Sequence, residues 1–438
     1  MINSFKIPAK WKIAALSDIA EVIMGQSPPS ITYNIDKEGL PFYQGKADFG
    51  ELFPSPKVWC SKPKKIALKG DILISVRAPV GPTNICQETS CIGRGLAAIR
   101  TKEFIERDFL FYWLRNIENE IRDLSTGTTF GAIRGSQLRS IIVPVPKISE
   151  QRDIIEKLER FHSMISSVDE ALNKTMIRIE TNHKSLLNRF FGSVNTSYSE
   201  THIQSENTHN LLSVKIGSLR PKFNHTINPS KSPDEYFEVY SVPSFDSGQP
   251  EIIKGKDIGS NKILVEPENV LLCKINPKIN RVWKVGKFSE YRKLASTEWV
   301  VISPRAGISA DYLKYYFSQP TFRNFLFMNV SGVGGSLTRA RKEPIYESSI
   351  LLPSFEEQLK LVSKFEGVAS ANQIARMEIN DNLSKAEILW KSILIKSFQG
   401  TLIKMNSSSE SESKILDFVN ISKGNRGYKD TVNQTRLF

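Results

Sequence analysis

The sequence predicts an α+β protein built from two similar domains of mixed α/β structure, each followed by a long helix. Three observations predict it. The two halves of the 438-residue chain match each other, each half contains short β-rich runs broken by Pro, Gly and Asn, and each half ends in a long heptad-patterned segment. A chain of this length has room for two or three domains with cores of their own.

The internal repeat appears when the sequence is compared with itself at an offset of about 200 residues. The matching segments keep the same order in both halves, which indicates an old duplication with diverged loops. They are "GDILISVRAP" (70–79) with "ENVLLCKINP" (268–277), "RDFLFYWLRN" (107–116) with "ADYLKYYFSQ" (310–319), and "LSTGTTFGAI" (124–133) with "VSGVGGSLTR" (330–339).

The two long segments carry apolar residues in alternating steps of four and three, which is the heptad pattern of a coiled coil. The predicted seam of the first helix is Ile154, Leu158, Phe161, Ile165, Val168, Leu172, Ile179 and Leu186. That of the second is Leu361, Phe365, Val368, Ala375, Ile379, Ala386, Leu389 and Ile393. Polar residues interrupt both seams at Thr175, Asn182, Asn372 and Asn382. The first helix runs from Ser149 to Phe191 without Pro or Gly, which makes it about 64 Å long.

Each long helix begins after a proline and contains Glu-Gln near its start, in "PVPKISEQRDII" (144–155) and "PSFEEQLKLV" (353–362). Ser149 and Ser354 are predicted to cap these helices, with a carboxylate in each first turn where the helix dipole favours it. A cap explains the glutamates. It does not explain why a glutamine follows in both copies.

The predicted domain boundaries follow from these patterns. The sequence predicts a first domain at 1–148, a long helix at 149–192, a polar linker at 193–210, a second domain at 211–354, a second long helix at 355–403 and a polar, disordered tail at 404–438.

Composition limits the function classes. The net charge of +13 favours a polyanionic partner, with nucleic acid ahead of an anionic membrane surface. No apolar run reaches the length of a membrane span and the N-terminus has no signal-peptide core, so we expect a cytoplasmic protein without membrane association.

The four scattered cysteines favour neither a zinc site nor a disulfide framework. Phosphate-binding loops, metalloprotease motifs and nucleophile elbows are absent, which predicts a non-catalytic recognition scaffold.

Three segments carry a resemblance to a known family. They are "WKIAALSDIAEVIMGQSP" (11–28), "GTTFGAIRGSQLRSIIVPVPKISEQRDII" (127–155) and "GSLTRARKEPIYESSILLPSFEEQLKLV" (335–362). Over residues 11–403 the chain resembles the specificity subunit of type I restriction-modification systems. The second half departs from the pattern, because its beginning, "LLSVKIGSLRPKF" (211–223), lacks the clear Trp start and its glycine loop differs.

The resemblance implies two target-recognition domains and two long helices that form an antiparallel coiled coil with pseudo-twofold symmetry. It implies recognition of a bipartite, asymmetric site on double-stranded DNA, with a spacer set by the helices. The implied partners are two methyltransferase subunits and the motor-nuclease restriction subunits. This chain would hold no cofactor, since S-adenosylmethionine, ATP and Mg²⁺ would belong to those partners, as would adenine-N6 methylation and ATP-dependent cleavage.

Two other functions stay open. One is a nucleic-acid-binding scaffold that has duplicated domains but no methyltransferase partner. The other is a structural protein built on the coiled coil.

The candidate DNA-binding residues are loop residues whose side chains suit phosphates or base edges. In the first domain they are Gln44, Lys46, Arg77, Thr128, Thr129 and Arg134. In the second they are Lys274, Lys278, Arg281, Lys284, Arg339 and Arg341, and several of the cations of 274–284 are expected to share one face of a strand or hairpin. The candidate partner-binding residues are Glu150, Gln151, Glu357 and Gln358. Replacing both glutamines is expected to weaken assembly with the methyltransferase more than the fold.

Overall fold

The computed structural model describes residues 7–125, 131–192, 211–222, 225–331 and 338–401. The chain divides into two compact units. Unit 1 comprises Met1–Asn173 and Asn380–Phe438, and unit 2 comprises Lys174–Ile379. Each unit therefore contains one mixed domain together with part of each long helix. The predicted α+β fold class is confirmed. The predicted linker at 193–210 and tail at 404–438 lie outside the described residues.

Unit 1 contains eleven short strands among its described residues. The strands are β1 (Lys12–Ala15), β2 (Ala20–Met24), β3 (Tyr33–Asn34), β4 (Leu40–Tyr43), β5 (Trp59–Cys60), β6 (Ile66–Ala67), β7 (Ile72–Ser75), β8 (Thr83–Ile85), β9 (Ser90–Ile92), β10 (Leu96–Thr101) and β11 (Ile142–Val145). Its short helices are α1 (Leu16–Ile19), α2 (Arg107–Asn116), α3 (Glu118–Asp123) and α4 (Gly135–Arg139).

The strands of unit 1 form three small sheets. The orders are β1-β11, β2-β10-β7-β8 and β3-β5-β4-β9-β6. Neighbouring strands are antiparallel except β4 and β9, which are parallel. Strands β7 and β10 are almost wholly buried, so they read as continuous apolar runs rather than as an alternating pattern.

Unit 2 repeats this plan. Its strands are β12 (Leu212–Lys215), β13 (Thr226–Ile227), β14 (Tyr236–Tyr240), β15 (Glu251–Lys254), β16 (Lys262–Val265), β17 (Val270–Cys273), β18 (Val282–Lys284), β19 (Arg292–Ser296), β20 (Trp299–Ile302), β21 (Val330–Ser331), β22 (Arg339–Ala340) and β23 (Ser349–Leu352). Its short helices are α6 (Ala310–Ser318), α7 (Pro320–Met328) and α8 (Lys342–Glu347).

Three sheets of unit 2 correspond to those of unit 1, and the described residues of unit 2 form a fourth, β21-β22. The orders are β12-β23, β18-β17-β20, β13-β16-β19-β14-β15 and β21-β22. The five-stranded sheet again contains one parallel pair, β14 with β19. The pair β12-β23, like β1-β11 in unit 1, joins the first strand of the domain to the strand before the long helix.

The long helices are α5 (Ile148–Phe191) and α9 (Phe355–Phe398). Helix α9 is capped as predicted, since the Ser354 hydroxyl accepts a hydrogen bond from the backbone N–H of Glu357 at 3.3 Å. Helix α5 begins one residue before Ser149, so that serine lies in the first turn and not at the predicted cap. None of the described helices combines the length and apolar content that a membrane span needs.

The predicted seams hold with one clear exception. In unit 1 the first six seam residues of α5, from Ile154 to Leu172, are buried, as are Ala386 and Ile393 of α9. Val368 is 38% exposed, so its prediction is wrong. At the start of α9, Phe365 is buried as predicted, Val362 is buried in addition, and Ala369 packs against the same cluster. The domain core, not a partner helix alone, sets the buried face there.

Each domain core includes residues from both long helices. In unit 1, Phe398 near the end of α9 packs edge-on against Phe109 and Trp113 of α2, with ring centroids 5.3 and 5.1 Å away. In unit 2, Phe191 of α5 and Phe365 of α9 lie 5.4 Å apart in the cluster that contains Tyr312. The helix ends are therefore parts of the domains.

Candidate nucleic-acid interface

Several loops of unit 1 meet where its short strands end. Backbone hydrogen bonds join neighbouring loops, so the loops form one continuous surface. The bonds, each from N–H to C=O, run from Gly25 to Leu96 (2.9 Å), Gly93 to Tyr43 (2.8 Å), Val76 to Gly95 (2.9 Å), Ala78 to Gly131 (3.0 Å) and Ile133 to Val76 (3.0 Å). Since backbone bonds fix these loops, the surface is organised before any ligand binds.

Glycines allow the loops to approach so closely. A Cβ atom on Gly95 would lie 2.1 Å from the carbonyl oxygen of Gln44, and one on Gly25 would lie 2.2 Å from that of Gly93. Any larger residue at either position would push the loops apart. Asp48 further fixes the loop after β4, because its carboxylate accepts hydrogen bonds from the N–H of Gln44 at 2.7 Å and of Gly45 at 3.3 Å.

Exposed basic and amide side chains cover this area, which we call the unit 1 loop surface. It consists of Gln26, Gln44, Lys46, Arg77, Arg94 and Arg134. Within the described part of unit 1, none of the three guanidinium groups makes an ion pair. Arginine and lysine bind phosphates, and arginine and glutamine make paired hydrogen bonds to base edges. The surface therefore has the chemistry of a nucleic-acid interface.

Four residues predicted for the first domain lie on this surface: Gln44, Lys46, Arg77 and Arg134. The bridge between Arg77 and Ala132 places the backbones of the last two in adjacent segments. Thr128 and Thr129 lie outside the described residues. The prediction omitted Gln26 and Arg94. Arg94 lies between two glycines, and this pattern, a cation in a loop that must approach another backbone closely, was the available signal.

Unit 2 has an equivalent arrangement, the unit 2 loop surface, made of residues 274–281, 329–331 and 338–341. Lys274 N–H donates to the Glu298 carbonyl (3.1 Å), just as Val76 donates to Gly95 in unit 1. The remaining bonds, from N–H to C=O, run from Asn276 to Thr338 (2.8 Å), Ala340 to Lys274 (2.8 Å) and Arg341 to Asn329 (2.9 Å).

The candidate cations of unit 2 fall into different environments. Lys278 and Arg341 are exposed, and the Lys278 ammonium lies 5.0 Å from the centre of the Phe327 ring. Lys274 and Arg339 both pair with Glu298. Arg281 is largely buried, with Nε 4.0 Å from a carboxylate oxygen of Asp246.

Lys284 does not belong to this surface. Its ammonium lies 2.8 Å from the carboxylate of Asp311, at the start of α6, and 3.7 Å from that of Glu268. Lys284 is therefore not among the cations of 274–284 that lie on this surface. Alternation along a strand could not reveal the two acidic neighbours, which come from other elements.

A partly buried arginine supports the loop that carries Lys278. Nη2 of Arg323, on α7, donates to the carbonyl oxygens of Pro277 and Ile279, the latter at 2.6 Å. Burial lowers the pKa of Arg323 to about 10, so the side chain stays charged at neutral pH. Arg323 thus fixes the backbone of the loop through these two carbonyl groups and is not one of the exposed cations of the surface.

The two Glu-Gln junctions have identical hydrogen-bond networks. Gln151 accepts a bond from Glu106 N–H (2.8 Å) and donates to the carbonyls of Phe104 (3.2 Å) and Pro146 (2.9 Å). Gln358 accepts from Ser309 N–H (2.9 Å) and donates to the carbonyls of Gly307 (3.2 Å) and Pro353 (2.9 Å). Each glutamine thus joins its long helix to the segment that begins α2 or α6.

These networks correct the role expected of the glutamines. Gln151 is 0% exposed and Gln358 is 1% exposed, so neither side chain can touch a partner subunit in this structure. Their contacts explain why both copies of the junction need glutamine, which both accepts and donates. Glu357 is exposed. Glu150 instead lies 2.7 Å from the ammonium of Lys10. Partner binding by the two glutamates stays a prediction.

Comparison with known proteins shows which proteins this chain is similar to. The family described as "Type I restriction modification DNA specificity domain" matches residues 8–175. The putative type I restriction enzyme MjaX specificity subunit of Methanocaldococcus jannaschii is 42% identical over 186 residues, which cover 42% of this chain and 43% of that relative. The type I restriction enzyme EcoKI specificity subunit of Escherichia coli K12 is 23% identical over 92% of this chain and 91% of its own. The chain is therefore similar to type I specificity subunits, most strongly over its first half.

A solved structure is also similar to part of this chain. The crystal structure of the HsdS subunit from Thermoanaerobacter tengcongensis is 43% identical over 38% of this chain and 41% of that chain, with a TM-score of 0.34. Like the MjaX match, this one spans less than half of the relative, whereas the EcoKI match runs through both repeats.

Proposed function

We propose that this chain is a specificity subunit that recognises a bipartite, asymmetric site on double-stranded DNA, one half through each loop surface. One observation carries the proposal: both units present the same hydrogen-bonded loop arrangement, lined by arginine, lysine or glutamine. A duplicated surface with different side chains in each copy suits two different half-sites. The bases between the half-sites would not be read.

The side chains suggest a division of work on the unit 1 loop surface. Gln26 and Gln44 can make paired hydrogen bonds to adenine, and Arg77, Arg94 and Arg134 can bind guanine or phosphate. The glycine-supported loops hold these groups on a fixed backbone, which lowers the entropy lost on binding. The overall charge of +13 adds a sequence-independent attraction to DNA.

The partners and chemistry belong to the same proposal. We propose that two methyltransferase subunits and the restriction subunits assemble on this non-catalytic chain in the cytoplasm. S-adenosylmethionine, ATP and Mg²⁺ would bind to those subunits. Relatives named as specificity subunits of restriction enzymes support this assignment. In the described residues, His, Cys, Asp and Glu do not gather into groups of three that could hold a metal ion.

The test uses the chain together with its proposed methyltransferase partner. We expect genome-wide mapping of N6-methyladenine to return one two-part motif, and purified complex to bind that duplex in preference to a scrambled one. Arg94→Ala should weaken binding or relax the motif in one half only. Arg160→Ala, which removes an exposed arginine of α5 outside the loop surface, is the matched control.

A nucleic-acid-binding scaffold without a methyltransferase is the second candidate, favoured by the charge of the chain alone. Tight DNA binding without motif-specific methylation would support the scaffold. If the chain bound no DNA even at low salt, both functions would be wrong.

A further inference from the structure

The duplicated fold allows residues of the two loop surfaces to be compared position by position. Gly95 directly precedes β10, and its carbonyl accepts the bond from the residue after β7. Glu298 directly precedes β20, and its carbonyl accepts the bond from the residue after β17. Gly95 and Glu298 therefore occupy equivalent positions in the two units.

A second pair of positions is equivalent in the same way. In unit 1 an isolated bridge joins Arg77 to Ala132, and in unit 2 one joins Ile275 to Arg339. Ala132 and Arg339 thus correspond. Unit 1 has two small residues, Gly95 and Ala132, where unit 2 has an acid and a base.

The acid and the base of unit 2 contact each other. Nε of Arg339 lies 3.3 and 3.2 Å from the two carboxylate oxygens of Glu298, and Nη2 lies 3.2 Å from Oε1. On the other side, Nζ of Lys274 lies 3.8 Å from Oε2. The Glu298 side chain is 25% exposed and that of Arg339 is 47% exposed. The carboxylate therefore lies on the loop surface between two cations proposed to contact DNA.

Such a carboxylate has two opposite effects on DNA binding. A paired carboxylate fixes the plane of a guanidinium group, which reduces the rotamer freedom lost when arginine meets a base edge. Its negative charge also offsets the two cations, which weakens attraction to phosphates in any sequence. The first effect favours the matching site, and the second disfavours all others.

We infer, on the basis of the proposed function, that Glu298 is a positioning residue for sequence recognition by unit 2. It holds Arg339 for contact with a base edge and reduces the affinity of the surface for non-matching DNA. Unit 1, with Gly95 and Ala132, lacks this device at the equivalent positions.

The experiment compares the wild-type complex of this chain and its methyltransferase with Glu298→Gln, on two duplexes of equal length. One carries the methylated motif and the other is scrambled. For Glu298→Gln we expect the Kd for the motif to rise about tenfold, the loss of one oriented base contact. The Kd for the scrambled duplex should fall. The slope of log K against log salt on that duplex should steepen by up to about 0.9, the value of one additional phosphate contact.

Two further variants keep the inference testable. Glu290→Gln removes one exposed carboxylate of unit 2 outside the cluster and controls for net charge, so it should shift both duplexes equally. Arg339→Lys keeps the charge but loses the two-point contact, so it should weaken motif binding without the gain on scrambled DNA.

A Glu298→Gln complex that changes both Kd values by the same factor would overturn the inference, because a merely structural role predicts that result. A wild-type complex without preference for the motif would instead refute the proposed function, and the inference with it. The wild-type measurement alone distinguishes the two failures.

Discussion

The role of Gln151 can be tested by replacing it with leucine, which has a similar volume and no polar group. Gln151→Leu removes three hydrogen bonds and leaves the N–H of Glu106 and the carbonyls of Phe104 and Pro146 without this partner. At about 1 kcal/mol for each bond, the free energy of unfolding should fall by roughly 3 kcal/mol. For a unit of this size, that corresponds to a Tm lower by about 6–12 °C.

The assay is thermal unfolding followed by calorimetry, with Gln358→Leu as the equivalent change in unit 2. Since the two networks have the same bonds and nearly the same distances, we expect a similar loss in each unit. Gln373→Leu, an exposed glutamine of α9, is the matched control and should change stability by no more than about 0.5 kcal/mol. An unchanged Tm together with loss of co-purification with the methyltransferase would refute this reasoning and restore a direct role in assembly.

Three further predictions follow from the site and the cores. Arg94→Ala should weaken binding to the motif duplex by about 1–3 kcal/mol, measured by fluorescence anisotropy, and unchanged affinity would remove Arg94 from the interface. Phe398→Ala should destabilise unit 1 by about 3–5 kcal/mol, because it empties the space beside Phe109 and Trp113, and unaltered protease resistance of unit 1 would contradict this. Burial lowers the pKa of His162, so as pH falls the imidazole is protonated in the unfolded chain before it is protonated in the folded one, and stability should decline as pH falls through about 6.5. His162→Gln should therefore reduce the difference in Tm between pH 7.5 and pH 5.5. Equal differences in both proteins would contradict the reasoning.

The repeat and the long helices were predictable because they depend on local order and on periodicity. The heptad pattern located the buried residues of α5 from Ile154 to Leu172. It failed at Val368, because there α9 packs against the core of unit 2, and sequence spacing does not reveal which neighbour a helix face meets. The Ser354 cap was also predictable, because it depends only on residues that are neighbours in sequence.

Contacts between remote segments were not predictable from spacing. The partners of Gln151 are backbone groups of two segments, and one of these, 104–106, is more than forty residues away. The glutamine therefore looked like a surface residue of the junction. Lys284 was predicted to bind DNA because its acidic neighbours, Asp311 and Glu268, come from other elements and could not be recognised from sequence. The Glu298–Arg339 pair likewise becomes visible only once β20 and β22 are placed.

The central claim is that the two units read two halves of one DNA site. Mapping N6-methyladenine in cells that express the methyltransferase with wild-type, Arg94→Ala or Arg341→Ala chains tests it most directly. We predict a single two-part motif for the wild type. Arg94→Ala should relax only one half of it, and Arg341→Ala only the other. Methylation at an uninterrupted motif, or the same half affected by both variants, would contradict the account.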